Sequence, residues 1–394
     1  MLVLPTTFQL QRGIFLAGLC LIALIAAPKY WRCNREIVII WMSTLVAGLF
    51  FVTEGVINNA PGAIRVTTVY LVWPCVYILF IGLVHNPSHI KLLIKTLIAG
   101  ILVTSLLNIF LLVGALLGHI AEVASILQFQ GAGIGLYNGY IELTSYNLTT
   151  VIYGLPFLLA LLFVQGNNYR IVSSKILVTV LLFDLLVCLV SGRRVFWLLA
   201  LTSPFLVFSI LFISQTRLRF RYWLAVGGIV VLLLFCAVGS GKISFHIIEN
   251  QFFSAFDFTG EASASLRYAQ FIDLIQSWST HPLLGHGFGA STGNVIRSEE
   301  MTWAYELSYV ALLFHSGLLG MVVYSVAVLW IFYSGVNLIR KNPSSGVLLL
   351  PLLCGLAGFL MINATNPYLG KFDYLWTVFL PVAVINTYKT SICK

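Results

Sequence analysis

Apolar runs of about 17–25 residues, broken by short polar stretches, fill most of this chain, and each is long enough to cross a bilayer as a helix. A helix satisfies its own backbone groups in lipid, so little other structure can account for such a pattern. Spans are predicted near 13–28, 37–53, 66–84, 92–117, 147–165, 175–191, 195–214, 222–239, 304–333, 347–363 and 373–388. The fold class predicted is therefore all-α, a polytopic integral membrane protein with about 11 (10–12) transmembrane helices, boundaries carrying errors of several residues. The run at 92–117 is long enough to tilt, and that at 304–333 to extend past the bilayer.

Two interruptions are too long to be simple connections. One covers 118–146, and the other, 240–303, is a loop of about sixty residues, a length that in a compact domain signals function or independent folding. They divide the chain into N-terminal spans (1–239), a large loop (240–303) and C-terminal spans (304–394). The opening segment "MLVLPTTFQLQRGIFLAG" has no convincing cleavage site and reads as a retained span.

Composition agrees: 59% of the 394 residues are hydrophobic and 9% charged, outside the range of soluble domains. Charge then orients the spans. Lys29, Arg32, Arg35, Lys91, Lys95, Arg170, Lys175, Arg217, Arg219, Arg221, Arg340, Lys341, Lys389 and Lys394 share one set of loops, predicted to be cytoplasmic. The C-terminus is then inside, the N-terminus outside, and both long loops outside. Acids gather on the outer side, among them Glu122, Glu142, Asp273, Glu299, Glu300 and Glu306, so work on a polar substrate is expected there. Basic cytoplasmic loops account for the net charge of +9, and nucleic acid is not implied. None of the seven cysteines lies in an outer loop, which argues against a disulfide framework or a cysteine metal site.

In the large loop, "EASASLRYAQFIDLIQSWSTHP" predicts an amphipathic helix, capped by Ser263 or Ser265 and ended by Pro282. Tyr268, Phe271, Ile272, Ile275 and Trp278 form its apolar stripe, with Arg267 at the edge, and the helix is expected against the membrane surface or the bundle. Gly285, Gly287 and Gly289 follow at every second position, where positive φ and close backbone approach are allowed. Such a turn either aims N–H groups at an anion or only routes the chain back to the next span. No strand precedes it, so a dinucleotide fingerprint is unsupported.

"SGRRVFW" places Arg193 and Arg194 at an outer junction without an acidic neighbour, and guanidinium groups suit bidentate recognition of phosphate; the alternative is snorkelling to headgroups. Arg65 reads as a phosphate ligand or an interfacial anchor. Glu306 opens a span at its outer end, either as a residue favoured by the helix dipole or as a general base. His281 and His286 are candidates for proton transfer or for hydrogen bonding to a sugar. Tyr309 is a candidate substrate contact, and Tyr137, Tyr140, Tyr146 and Trp303 are candidate sugar-stacking surfaces. His315 and Asp184 read as internal hydrogen-bonded groups. No histidine–carboxylate spacing suits zinc and no D-x-D motif occurs in an outer loop, so neither metal nor cofactor is expected.

In order, "SGRRVFW", "SLRYAQF…W…HPLLGHGFG" and "YELSYVALLFHSGLLG" resemble the O-antigen ligase and polymerase superfamily of bacterial inner membranes, over about residues 190–335. The resemblance implies periplasmic-face transfer of glycans from undecaprenyl pyrophosphate, a lipid-linked donor and acceptor, and a chain-length regulator protein as a further partner. Arg193 or Arg194 and Arg267 match the arginines that engage the pyrophosphate. Ligases carry a histidine followed by Asn, Ser or Gln, then nine residues, then G-x-x-G; here the corresponding positions, counted back from Gly317 and Gly320, hold Glu306 and Leu307. That departure points to the polymerase branch, with Glu306, Arg267 and Arg194 catalytic and Arg193, Arg65, His281, His286, Gly285, Gly287 and Tyr309 binding substrate. The alternatives are a ligase acting on lipid A-core and a lipid-linked oligosaccharide flippase.

Overall fold

A computed structural model describes residues 2–3, 9–84, 86–129, 133–137, 140–145, 147–165, 170–191, 193–215, 262–296 and 299–392. The predicted span at 222–239, the loop residues 240–261 and Tyr146 lie outside the described residues. The protein is a helical, polytopic membrane protein: among the described residues seven helices are long and apolar enough to cross a bilayer, and shorter apolar helices accompany them.

In chain order these are α1 (Gln9–Tyr30), α2 (Arg35–Ile57), α3 (Ala63–Leu83) and α4 (Pro87–Leu116). Next come α5 (Ile120–Phe129), a hairpin of β1 (Gly133–Tyr137) and β2 (Tyr140–Thr144), then α6 (Leu148–Val164), α7 (Ser174–Val190) and α8 (Arg194–Ile213). The last four are α9 (Ala262–Thr280), α10 (Ser308–Lys341), α11 (Pro343–Asn363) and α12 (Trp376–Ile392). The hairpin pairs antiparallel, Gly133 opposite Thr144, and is an addition to the all-α expectation. Its sequence gave no sign of it because Gly133, Gly135 and Gly139 dilute the alternation that marks a strand.

Helix α6 is the centre. It is apolar on every side and buried throughout Leu148–Phe163, as a helix surrounded by other helices must be. It packs on α11, where small residues let the backbones approach: Gly355 faces the Tyr153 ring and Gly358 faces Pro156. The Tyr153 hydroxyl donates to the Leu352 carbonyl (3.0 Å), satisfying a buried polar tip. Helices α4, α7 and α8 close around α6.

The two ends of the bundle are identified by long-range contacts. At one end, Arg12 of α1 pairs with Asp373 just before α12 (3.0 Å). At the other, Lys389 of α12 pairs with Glu36 of α2 (2.7 Å), and Asn386 bonds to the α1–α2 turn and the end of α3 through Arg32, Asn34 and Ile81. The start of α1 and the end of α12 therefore sit at opposite ends of the bundle.

Helix α10 is broken at Gly317, which has φ 58° and ψ −166°. An unbroken helix would bond the amides of Leu318 and Leu319 to the carbonyls of Phe314 and His315. Here those amides donate to Pro282 (3.0 Å) and Leu283 (3.1 Å), while the two carbonyls accept from His286 (3.0 Å) and Gly287 (2.9 Å). The segment 282–287 is thus inserted into the helical ladder, a recognised cause of a sharp kink, and the four displaced backbone groups all find partners there.

Phe288, next along the same segment, donates its amide to Phe51 of α2 (2.8 Å) and stacks on Tyr70 with ring centroids 3.8 Å apart. Tyr70 is presented by a single π-helical stretch, Thr68–Val72, within α3. The Gly289 carbonyl accepts from Gly62 (3.0 Å).

Gly285, Gly287 and Gly289 all have positive φ (71°, 85° and 83°), and a Cβ on any of them would collide with backbone of α10, α2 or the start of α3. Gly293 also has positive φ (77°), yet a Cβ there would meet open space. Gly287→Ala is therefore expected to destabilise by at least about 2 kcal/mol, and Gly293→Ala by roughly 1 kcal/mol from backbone strain alone. Melting midpoints in one detergent test this, and equal losses in the two variants would refute it.

Candidate functional site

The site is built where α9, residues 290–296 and 299–306, and the start of α10 meet. Glu306 lies outside the helix, one residue before Leu307, the N-cap of α10. Its amide donates to Gln270 Oε1 (3.3 Å), and its Oε2 accepts from Arg267 Nε (2.6 Å). The Glu306 side chain is 10% exposed and the Arg267 side chain 36% exposed, so the pair sits at a boundary, with the acid buried and the arginine half-buried. A charge-assisted bond of this length, with one partner nearly desolvated, is among the stronger polar contacts a protein makes.

The predicted amphipathic helix forms over Ala262–Thr280. Arg267, Gln270 and Asp273 recur at every third residue on the inward face, and Asp273 accepts from Asn294 Nδ2 (3.0 Å). Tyr268 (55% exposed), Phe271 (42%) and Ile272 point outward. In a membrane protein the polar side chains find their partners inside, and the apolar stripe suits hydrocarbon rather than water or core. Arg267 is accordingly on the inward face, not at the edge of the apolar stripe. Ser265 falls inside the helix rather than capping it, and the Ser263 side chain lies outside the described residues.

The glycine turn does not present free donors. The amides of Gly285, His286, Gly287 and Phe288 donate to the carbonyls of His281, Phe314, His315 and Phe51. The alternative role holds for these groups: the turn seats the chain against three helices. His281 and His286 lie beyond the far end of α9, roughly 20 Å from Arg267 at 1.5 Å per residue, so the structure does not bring them to the carboxylate.

Hydrogen bonding assigns the tautomers at this end. His286 Nε2 lies 2.8 Å from the Ser277 carbonyl, which can only accept, so Nε2 carries the proton. The Thr280 hydroxyl donates to the same carbonyl (2.7 Å), leaving its oxygen to accept from His281 Nδ1 (2.9 Å). His315 is buried and bonds to the Ala290 carbonyl (3.0 Å), an internal tie as expected.

Arg193 is not the uncompensated cation that its own loop suggested. Its Nε donates to the Leu143 carbonyl (3.1 Å), an Nη donates to Thr144 Oγ1 (2.8 Å), and Glu142 lies 3.6 Å away. The compensating acid is on β2, in the connection between α4 and α6, which a search of local sequence cannot find. Arg193 also bonds to the hydroxyl of Tyr368; burial pushes that hydroxyl above its usual range and the guanidinium opposes the shift. Arg194 opens α8, half-buried and engaged within the chain.

Two further basic groups share this end. Arg65 sits 6.0 Å from the centre of the Trp303 ring, whose face is covered by Gly62. Beside the Arg12–Asp373 pair, burial pulls the Lys371 ammonium down, opposed by Asp373, and pushes the Asp373 carboxyl up, opposed by Arg12.

A bonded path joins the arginine clusters. Ser308 Oγ donates to the Asn366 carbonyl (3.1 Å), Tyr368 donates its amide to the same carbonyl (2.8 Å), and the Tyr368 side chain meets Arg193. Tyr309 donates its hydroxyl to Leu360 (2.6 Å), which fixes the start of α10 on α11. Tyr137 and Tyr140 lie on the hairpin, their side chains outside the described residues. Asp184 is fully buried in α7 and accepts from Ser105 (3.0 Å). Gln270 and Asn294 were missed as site residues; the three-residue spacing of Arg267, Gln270 and Asp273 was the available signal.

No family model matches this chain, and no curated protein matches it either. The fold defines the class, a polytopic helical membrane protein, and the narrower resemblance rests on the motifs themselves.

Removing the Arg193 guanidinium should release the hairpin. Arg193→Ala is expected to speed amide exchange across 133–144 by roughly 10–100-fold, the equivalent of about 1–3 kcal/mol of lost local stability. Glu142→Gln should change it far less, because the Leu143 and Thr144 bonds remain; hydrogen-exchange mass spectrometry reads both, and unchanged exchange in Arg193→Ala would contradict the assignment.

Proposed function

We propose that this protein polymerises lipid-linked oligosaccharide repeat units into O-antigen or a related polysaccharide, at the periplasmic face of a bacterial inner membrane. The observation that carries the reading is the Arg267–Glu306 contact at 2.6 Å, a buried acid beside a part-exposed cation at the mouth of the bundle. Arg65, Arg193, Arg194 and Lys371 reside at the same end of the helices, which is the charge expected where a diphosphate must be received.

The acceptor hydroxyl oxygen attacks the anomeric carbon of the donor glycan. A new C–O bond forms there, and the bond from that carbon to the pyrophosphate oxygen breaks, the electron pair leaving with undecaprenyl pyrophosphate. Glu306 takes the hydroxyl proton. In the resting pair Arg267 holds that carboxylate; an arriving diphosphate competes for the guanidinium, so donor binding frees the base at the moment it is needed. Arg194 adds charge stabilisation for the leaving group, a role for which losing one donor commonly costs roughly 3–4 kcal/mol.

Glutamate at 306 and leucine at 307 favour the polymerase over a ligase, whose acceptor would be lipid A-core. Purified protein supplied with a lipid-linked repeat unit should form a ladder of polymer lengths. Glu306→Gln is expected to reduce it by about 10²–10⁴-fold and Arg267→Ala by hundreds-fold, with EDTA leaving it intact. Normal ladders from both variants would overturn the roles, and complete loss with EDTA would overturn the metal-independent chemistry.

A further inference from the structure

A second polar cluster lies away from the Glu306 mouth, inside the bundle between α4, the start of α6 and α7. Ser105 and Asn108 stand one turn apart on α4, Asn147 caps α6, and Asp184 lies midway along α7; all four are buried to within 1% of complete exclusion. Ser105 Oγ donates to Asp184 Oδ1 (3.0 Å). Asn108 Nδ2 donates to the Thr104 carbonyl (2.8 Å) and to Asn147 Oδ1 (3.0 Å), and Ser145 Oγ also donates to Asn147 Oδ1 (2.8 Å).

The Thr104 carbonyl can only accept, so the orientation of the Asn108 amide is fixed and its Oδ1 is the free end. That oxygen and Asp184 Oδ2 are both buried without a hydrogen-bond donor, and Asn147 Nδ2 is buried without an acceptor. Gly154 of α6 lies against Asp184 and Ile101: a Cβ there would meet Ile101 Cγ2 at 2.9 Å and Asp184 Oδ2 at 3.0 Å. Among the described residues no lysine, arginine or histidine forms an ion pair with Asp184.

A carboxylate without a cation in the apolar centre of a helix bundle is costly, and an orphaned amide oxygen on α4, one turn from the Ser105 that bonds the carboxylate, adds to that cost. A carboxylate, an amide oxygen and a hydroxyl form a hard-oxygen donor set, suited to an alkali or alkaline-earth ion rather than to a soft metal. Only one of the three is charged. A monovalent ion leaves the cluster neutral, whereas a divalent ion would leave a net positive charge in the interior.

We propose that Asp184, Asn108 and Ser105 bind one sodium ion, which ties α7 to α4 beneath the hairpin that holds Arg193. The site is independent of the glycosyl-transfer reading, and its test uses no glycan.

Thermal unfolding of the purified full-length protein in detergent, followed by tryptophan fluorescence, compares NaCl with choline chloride at equal ionic strength and at two pH values. The midpoint should rise by roughly 2–6 °C between zero and 150 mM Na⁺ and level off, and Asp184→Asn and Asn108→Ala should each abolish the rise. Equilibrium dialysis of the wild-type protein with radioactive sodium should give one ion per chain, which keeps the test decisive if either variant fails to fold. Equal midpoints in the two salts, a sodium effect undiminished in Asp184→Asn, a dependence on pH alone, or no bound sodium would each overturn the proposal.

Discussion

Everything at the Glu306 mouth depends on one exchange of hydrogen bonds. Two links of the α10 ladder are given up at Gly317, and four links to the segment 282–287 replace them. The exchange works only because backbone meets backbone, with no side chain between, at Gly285, Gly287 and Gly289. It anchors the far end of α9, while Gln270 and Arg267 hold the near end to Glu306. The acid and its arginine face each other because a helix is pinned at both ends.

The helical framework was legible in the sequence because lipid allows so few solutions. Burial of α6 on every side, for example, follows from a run with no polar stripe. Which side of α9 faces inward was not legible in the same way. Amphipathicity identifies two faces, but the rule that sends the apolar face to the core belongs to proteins in water. Here Gln270 and Asp273 point in, and Tyr268 and Phe271 point out.

Pairings across the fold were equally hidden. Arg193 has no acid near it in sequence, yet Glu142, 51 positions earlier, lies 3.6 Å away. Arg12 and Asp373 meet although 361 positions separate them. Arg65, Arg193, Arg267 and Lys371 all belong to one end of the bundle, and their positions in the sequence are far apart. The sequence did not show that several of them are held by the chain's own acids, carbonyls and rings. Such contacts hold the cationic side chains in fixed positions.

The broken turn of α10 also bears on biogenesis. Each partner of its displaced backbone groups, Pro282, Leu283, His286 and Gly287, precedes Gly317 in the chain, and so does Phe51, which receives the next amide. A polypeptide threaded into the bilayer from its N-terminus has already delivered all of them when Gly317 emerges. The helix can open onto waiting partners, and its polar backbone never has to face acyl chains alone.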